Sequence, residues 1–212
     1  MLKDRAPITK GGLRLVYEHP DDPAVLVKVM RPEAVAGRYG EKGTWWRRNR
    51  RHGPYILFVR EIREYLAVRA QGGGYESSVQ KIFGLVDTDM GLGLVVEAGR
   101  GPDGALAPTA ARLIANGGFD ARAAAALEDF NRAILESNVV LADLHERNIV
   151  YARMRDGSDR FVMIDGLGSS TILPFKSWFV GINRRSKEKR IARLNRRIAG
   201  RVAAYEAGTP MP

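Results

Sequence analysis

LADLHERNIV, residues 141–150, puts an Asp, a His and an Asn into one short loop ahead of an apolar run. Asp143 and Asn148 are five apart, and Ile149, Val150 and Tyr151 read as a short strand. Seventeen residues after Asn148, a second apolar strand, FVMID, ends on Asp165 and is followed at once by Gly166. Loop carboxylate, loop amide, strand, turn, strand and carboxylate is an order that assembles a metal site beside a group able to orient a nucleophile.

The residues upstream read as two hairpins with one helix between them. Residues 13–17 and 24–30 are Leu- and Val-rich runs joined by EHPDDP, whose Pro and Asp are turn formers. Residues 32–54 break any periodicity with Gly, Pro and clustered Arg and are expected to be an irregular insertion. Residues 61–70 are expected to be helical, with Ile62, Tyr65, Leu66 and Val68 on a buried face. The glycine run 72–74 stops that helix; residues 79–86 and 92–96, around DTDMG, give the second hairpin.

Residues 99–104 read as a hinge, which divides the chain into 1–98 and 99–212. Beyond it, residues 108–115 suit a short helix and Asp120 suits the N-cap of a long one over 121–137, with Leu127, Phe130 and Ile134 facing inward. Ser186 is expected to cap a last helix running to Tyr205. Its Ile191, Leu194, Ile198, Val202 and Tyr205 form one apolar stripe on an Arg-covered cylinder.

At 212 residues and 45% apolar content the chain suits one large domain or two small lobes. It has no cysteine, which excludes disulfides, thiolate zinc sites and thiol catalysis, and three histidines are too few for a His-rich metal site. No apolar segment has the length of a secretory signal core or a membrane span, so the expected location is cytoplasmic. The net charge of +10 is uneven: residues 170–212 hold ten Lys/Arg against two Asp/Glu, leaving 24 against 22 elsewhere.

The residue types match what phosphoryl transfer asks of a protein: an oriented nucleophile, a divalent ion and cations near phosphate. Asp143 suits a weak base toward an attacking hydroxyl. Asn148 and Asp165 offer hard oxygen ligands for Mg²⁺. His145 suits a contact to phosphate or a substrate hydroxyl, or a hydrogen bond inside the loop. Lys28 shares a strand face with Leu26 and Met30 and needs an anionic partner, which Glu61 or Glu64 could supply. Gly11 and Gly12 would let backbone amides approach a phosphate.

Lys28, the helix glutamate, the hinge, DLHERN and IDG follow one another as in the protein-kinase-like superfamily, and DLHxxN is similar to its small-molecule phosphotransferase branch. The blocks ITKGGLRLVYEHPDDPAVLVKV, REIREYLA, FGLVDTDMGLGLVVE, LADLHERNIV and FVMIDGLGSS resemble the YrbL family, named for a PhoP regulatory network, over about residues 5 to 200. The resemblance implies an α+β, two-lobed kinase-like fold with an antiparallel-sheet N-lobe carrying one helix and a reduced helical C-lobe. It implies ATP and Mg²⁺ as cofactors, Lys28 as phosphate lysine paired to Glu61, and Asp143 as catalytic Asp. Asn148 and Asp165 would be metal ligands, and Glu97 and Ala98 would meet adenine through hinge backbone. The expected activity is phosphate transfer to a hydroxyl of a small molecule or envelope glycolipid. Leu141 stands where the superfamily has a His, and the glycine loop is reduced to one pair. Those departures point to the alternative, a pseudokinase-type regulatory module.

Two features lie outside that core. The basic last helix suits three roles: packing of its stripe on the C-lobe, insertion into an anionic inner-membrane surface, with Trp178 and Phe179 ahead of it, or contact with nucleic-acid phosphates. Trp45 and Trp46, beside Arg47, Arg48, Arg50 and Arg51, have the mix used on phosphate-rich surfaces but are expected to clamp the insertion onto the sheet.

Overall fold

The computed structural model describes residues 1–41, 43–49, 51–101, 103–154, 157–168 and 180–209. The chain separates into two compact units, Met1–Ile62 with Lys81–Ala98, and Arg63–Gln80 with Gly99–Pro212.

The first unit is a five-stranded antiparallel sheet: β1 (Thr9–Lys10), β2 (Arg14–Glu18), β3 (Val25–Met30), β4 (Ile82–Thr88) and β5 (Gly91–Glu97), in the order β1-β2-β3-β5-β4. Period-two alternation gives the inner strands two distinct faces. Leu15, Tyr17, Val27 and Val29 face one side and close over Leu2, whose amide N–H donates to Asp89 Oδ1 at 2.8 Å. The other side carries Lys28, opposite Val16 on β2 and Leu94 on β5. Asp22 closes the first hairpin by accepting from the Ala24 N–H at 2.8 Å, the Asx turn that EHPDDP favours.

The described residues within 32–54 hold more regular structure than their Gly and Arg content suggests. They form α1 (Pro32–Tyr39), the single turn α2 (Trp45–Arg48) and a 3₁₀ turn over Gly53–Tyr55. Pro32 begins α1 with its fixed φ and missing N–H where neither is costly, and Glu33 adds an acid to the first turn. The expected clamp is absent, since Trp45 and Trp46 are 63% and 76% exposed.

Helix α3 (Ile56–Gln71) starts five residues before its expected position and contributes to both units. Its buried positions are Phe58, Glu61, Glu64 and Val68, a three-three-four spacing, while Leu66 is 58% exposed. Of the expected stripe Val68 is buried as read, Ile62 and Tyr65 are half-buried and Leu66 points out, so the face is rotated toward Phe58, Glu61 and Glu64. Two glutamates lie in the true stripe, and that makes them informative.

The second unit contains α4 (Ala110–Ala115), α5 (Ala121–Glu136), the hairpin β6 (Ile149–Arg153) with β7 (Asp159–Met163), and α6 (Val180–Glu206). Asp120 caps α5 as expected, its Oδ1 accepting from the Ala123 N–H at 2.9 Å. Leu127, Phe130 and Ile134 face a core shared with Ile149, Phe161, Met163, Leu194 and Ile198. Strand β7 stops at Met163, so Asp165 lies in the following turn rather than at the strand end. Ser186 is interior to α6 and not its cap: the helix begins six residues earlier, where Asn183 and Lys187, one turn apart, both face inward. Residues 171–179, with Phe175, Trp178 and Phe179, lie outside the described residues.

The α6 stripe packs in this core, with Leu194 fully buried and Ile198 3% exposed. That is the packing alternative for the middle of the stripe; Tyr205 at its end is 45% exposed. Among the described residues no helix is long and apolar enough to cross a membrane.

Candidate active site

In the first unit, Glu61 gathers two cations. Lys28 Nζ lies 3.4 Å from its Oε2, and Arg14 Nη1 pairs with its Oε1. All three residues are less than a tenth exposed. Lys28 therefore takes Glu61 and not Glu64 as its partner, because α3 presents Glu61 to the face of β3 on which Lys28 lies. Arg14 was not foreseen, although it alternates with Val16 on that same sheet face and the reasoning that singled out Lys28 applies to it.

Gly11 bonds back to the Arg14 carbonyl at 2.8 Å and closes the β1–β2 turn. A Cβ added at Gly12 would meet nothing within 4 Å, so packing does not require glycine there. At the end of β5 the Glu97 N–H donates to Lys81 O at 2.9 Å and the Ala98 N–H to Ala24 O at 2.8 Å. Both amides are committed to backbone partners.

The second unit holds Asp143, His145, Asn148 and Asp165. Their loops are joined by backbone: the N–H groups of Ala142 and Asp143 both donate to Gly166 O, at 2.8 and 3.0 Å, and Leu141 bridges Leu167. Asn148 ties the loop from within, its Nδ2 donating to Asp143 O at 3.2 Å and reaching Asp143 Oδ2 at 3.4 Å. The Ile164 N–H returns to Asn148 O at 2.8 Å. Asp165 Oδ1 accepts from the Gly166 N–H at 2.6 Å. These bonds bring the Asp143–Asn148 loop and the Asp165–Gly166 turn together.

Leu144 and Glu146 turn inward along this loop while Asp143 and Arg147 face out. Glu146 is 1% exposed; its Oε1 takes Arg201 Nε from α6 at 3.0 Å, and its Oε2 lies 3.1 Å from His145 Nδ1. His145 Nδ1 also lies 3.3 Å from the Arg147 N–H, a contact that requires an unprotonated Nδ1, whereas pairing with Glu146 requires a protonated one. Glu146 was missed because a Glu inside a polar loop gives no sign of burial; the arginine that neutralises it lies 55 residues away.

The lead-in to the loop is gripped by side chains from two helices. Glu64 Oε2 accepts from the Val140 N–H at 2.7 Å, and burial holds its carboxyl above the usual range against the opposing effects of that bond and of Arg63. From α6, Asn183 Nδ2 donates to Val139 O at 3.0 Å, and Lys187 Nζ donates to Ile134 O at 2.9 Å and to Ser137 O. Lys187 thus caps the C-terminus of α5, where a cation suits the dipole. Burial, then the neighbouring Arg184, lowers its pKa to about 8.

A lysine whose folded pKa lies below its unfolded value carries a penalty that is full below pH 8 and disappears as pH rises toward the unfolded value near 10.5. Lys187→Met removes this pH-dependent penalty, so the stability of wild type relative to the variant is expected to rise between pH 8 and 10.5. Urea midpoints of wild type and variant at pH 7 and pH 10 measure it: the wild-type midpoint minus the variant midpoint should be larger at pH 10 than at pH 7.

Among the described residues no three His, Cys, Asp or Glu side chains cluster as a metal cage. Asn148 and Asp165 carry hard oxygen atoms and no soft ligand, a donor set that would suit a hard divalent cation such as Mg²⁺.

A lysine on β3 paired to the next long helix, a D-x-x-x-x-N loop and a strand-turn carboxylate make up a kinase-like scaffold. The chain belongs to the family described as PhoP regulatory network protein YrbL, whose model matches residues 1–199. It is 23% identical over 180 residues to the uncharacterized protein YrbL of Escherichia coli (strain K12), across 84% of this chain and 77% of that protein. The uncharacterized protein YrbL of Shigella flexneri matches to the same extent. Among solved structures, a double mutant of the Mycobacterium tuberculosis PknI kinase domain aligns with a TM-score of 0.46 at 15% identity. That alignment covers 76% of this chain, which spans 56% of the kinase domain.

Proposed function

We propose that the chain is a phosphotransferase that binds ATP with Mg²⁺ and transfers the terminal phosphate to a hydroxyl of a small molecule or envelope glycolipid. The observation that carries this reading is the backbone link from Ala142 and Asp143 to Gly166, which sets the candidate base beside the candidate metal turn. Lys28, oriented by Glu61, takes the phosphate-facing role. Asn148 and Asp165 would hold the ion, which when bound neutralises charge on the phosphate oxygens. Asp143 accepts the hydrogen bond of the acceptor hydroxyl and takes its proton as oxygen bonds to phosphorus and the bond to ADP breaks. Asn148 limits the swing of Asp143 through its two contacts.

The test is calorimetric titration with ATP and Mg²⁺, followed by turnover against a panel of hydroxyl acceptors. Asp165→Ala is expected to bind ATP without the Mg²⁺ dependence of wild type. Asp143→Ala is expected to keep nucleotide affinity within about threefold and to lose turnover by about 10²-fold or more, the usual contribution of a positioned base. Wild type that binds no nucleotide at millimolar concentration would overturn the reading.

Leu141 supports a second reading, a regulatory module on the same scaffold. It is 1% exposed and packs in the core, contributing an apolar contact where the superfamily resemblance implies an imidazole. Nucleotide binding with no transfer to any acceptor would favour that reading.

A further inference from the structure

Trp45 and Trp46 are exposed, yet they are not loosely presented. The Arg47 and Arg48 N–H groups both donate to Thr44 O, at 2.9 and 3.1 Å, and Asn49 closes the turn by donating to Trp45 O through its backbone and its Nδ2, each at 3.1 Å. A hydrogen-bonded turn thus holds two large apolar rings in water, where burial would be worth more than for any other side chain. Residues 44–52 carry four arginines and no acid. Arg47, Arg48 and Arg51 are exposed around the indoles.

We infer that this turn is a docking surface for an anionic lipid bilayer. Indole rings favour the headgroup level, where an apolar body meets a polar edge, and guanidinium groups on the same turn reach lipid phosphates without being dragged into hydrocarbon. The ring geometry leaves no place for a base between the two indoles. The two indoles meet edge-on, with centroids 4.7 Å apart and planes at 81°. One ring's edge therefore occupies a face of the other, so the pair offers no open slot in which a base could be sandwiched. A shallow insertion into a headgroup layer makes no such demand. The surface does not depend on nucleotide binding, and it lies on a different element from α6, whose Leu194 and Ile198 are buried.

The experiment uses the full chain and vesicles of phosphatidylcholine alone or mixed equally with phosphatidylglycerol. Wild type is expected to sediment with the anionic vesicles at low salt, to leave them at high salt, and to ignore the neutral ones. Replacing Arg47, Arg48 and Arg51 with Gln is expected to weaken partitioning by about 10²-fold, roughly fivefold per arginine. Brominated lipid should quench wild-type tryptophan emission, and Trp45→Phe/Trp46→Phe should lose most of that quenching while keeping the wild-type circular dichroism. No sedimentation of wild type with anionic vesicles would overturn the inference. Sedimentation and quenching unchanged by these variants would do the same. Binding of an oligothymidylate that needs Trp45 and Trp46, with no vesicle binding, would assign the surface to single-stranded nucleic acid instead.

Discussion

Gly166→Ala is expected to cost the second unit about 3 kcal/mol or more and to abolish any phosphotransfer. The backbone at Gly166 has φ +84°, a region where an L side chain costs about 1 kcal/mol or more. Space is a second and larger obstacle. A Cβ there would overlap the Asp143 carbonyl oxygen and lie 3.0 Å from the Asp143 carbonyl carbon and 3.1 Å from Asn148 Nδ2. Two of these neighbours are backbone and cannot turn aside. Relief requires the Asp165–Gly166 turn to move off the Asp143 loop, which breaks the bonds from Ala142 and Asp143 to Gly166 O, each worth about 1 kcal/mol. Thermal denaturation should show a fall of about 10 °C, at about 2–4 °C per kcal/mol for a chain of this size. Gly12→Ala is the matched control, since its Cβ meets nothing within 4 Å. A Gly166→Ala melting curve equal to that of Gly12→Ala would show that the turn yields cheaply and that the loops are not held by this contact.

Asp165 was legible as a candidate metal ligand, but the glycine after it carried no reading of its own. The reason for glycine is the close approach of the Asp143 carbonyl, which arises from a tertiary contact 23 residues apart and leaves no trace in local spacing. Asp143, Asn148 and Asp165 could be picked out because their order along the chain is itself the signal. Glu146 and Arg201 could not, because each looks like solvated charge until the two are brought together in the core.

Secondary structure followed the same division. The two hairpins of the sheet were read from β-branched runs and turn residues, and the Asp120 cap from a local hydrogen bond, all short-range physics. Missed boundaries came where a buried polar residue stood in an apolar stripe. Starting α3 at Glu61 hid Phe58 and with it the true face. Starting α6 at Ser186 treated Asn183 as loop, when it reaches Val139 O from inside the helix. The exposed tryptophans failed in the opposite sense: burial was inferred from residue type, and residue type cannot tell a packed indole from a presented one.

Glu61→Ala is expected to destabilise the first unit by about 3–5 kcal/mol, the usual loss when one partner of a buried ion pair is removed. The variant leaves Lys28 and Arg14, 6% and 8% exposed, without the carboxylate they share. Glu61→Gln keeps an acceptor but no charge and should fall between wild type and Ala. The informative comparison is a triple replacement, Arg14→Met, Lys28→Met and Glu61→Leu. Desolvating three charges is costly, and apolar residues of similar volume commonly match or exceed a buried ion cluster in stability. The triple variant is accordingly expected to melt within about 5 °C of wild type, well above Glu61→Ala. Stability alone then gives no reason to keep Lys28 charged and buried, whereas an ammonium held for a phosphate does. On that reading the triple variant folds and has lost ATP affinity. If it melts as low as Glu61→Ala, the cluster is a structural requirement of the sheet and the case for Lys28 as a phosphate ligand loses its main physical support.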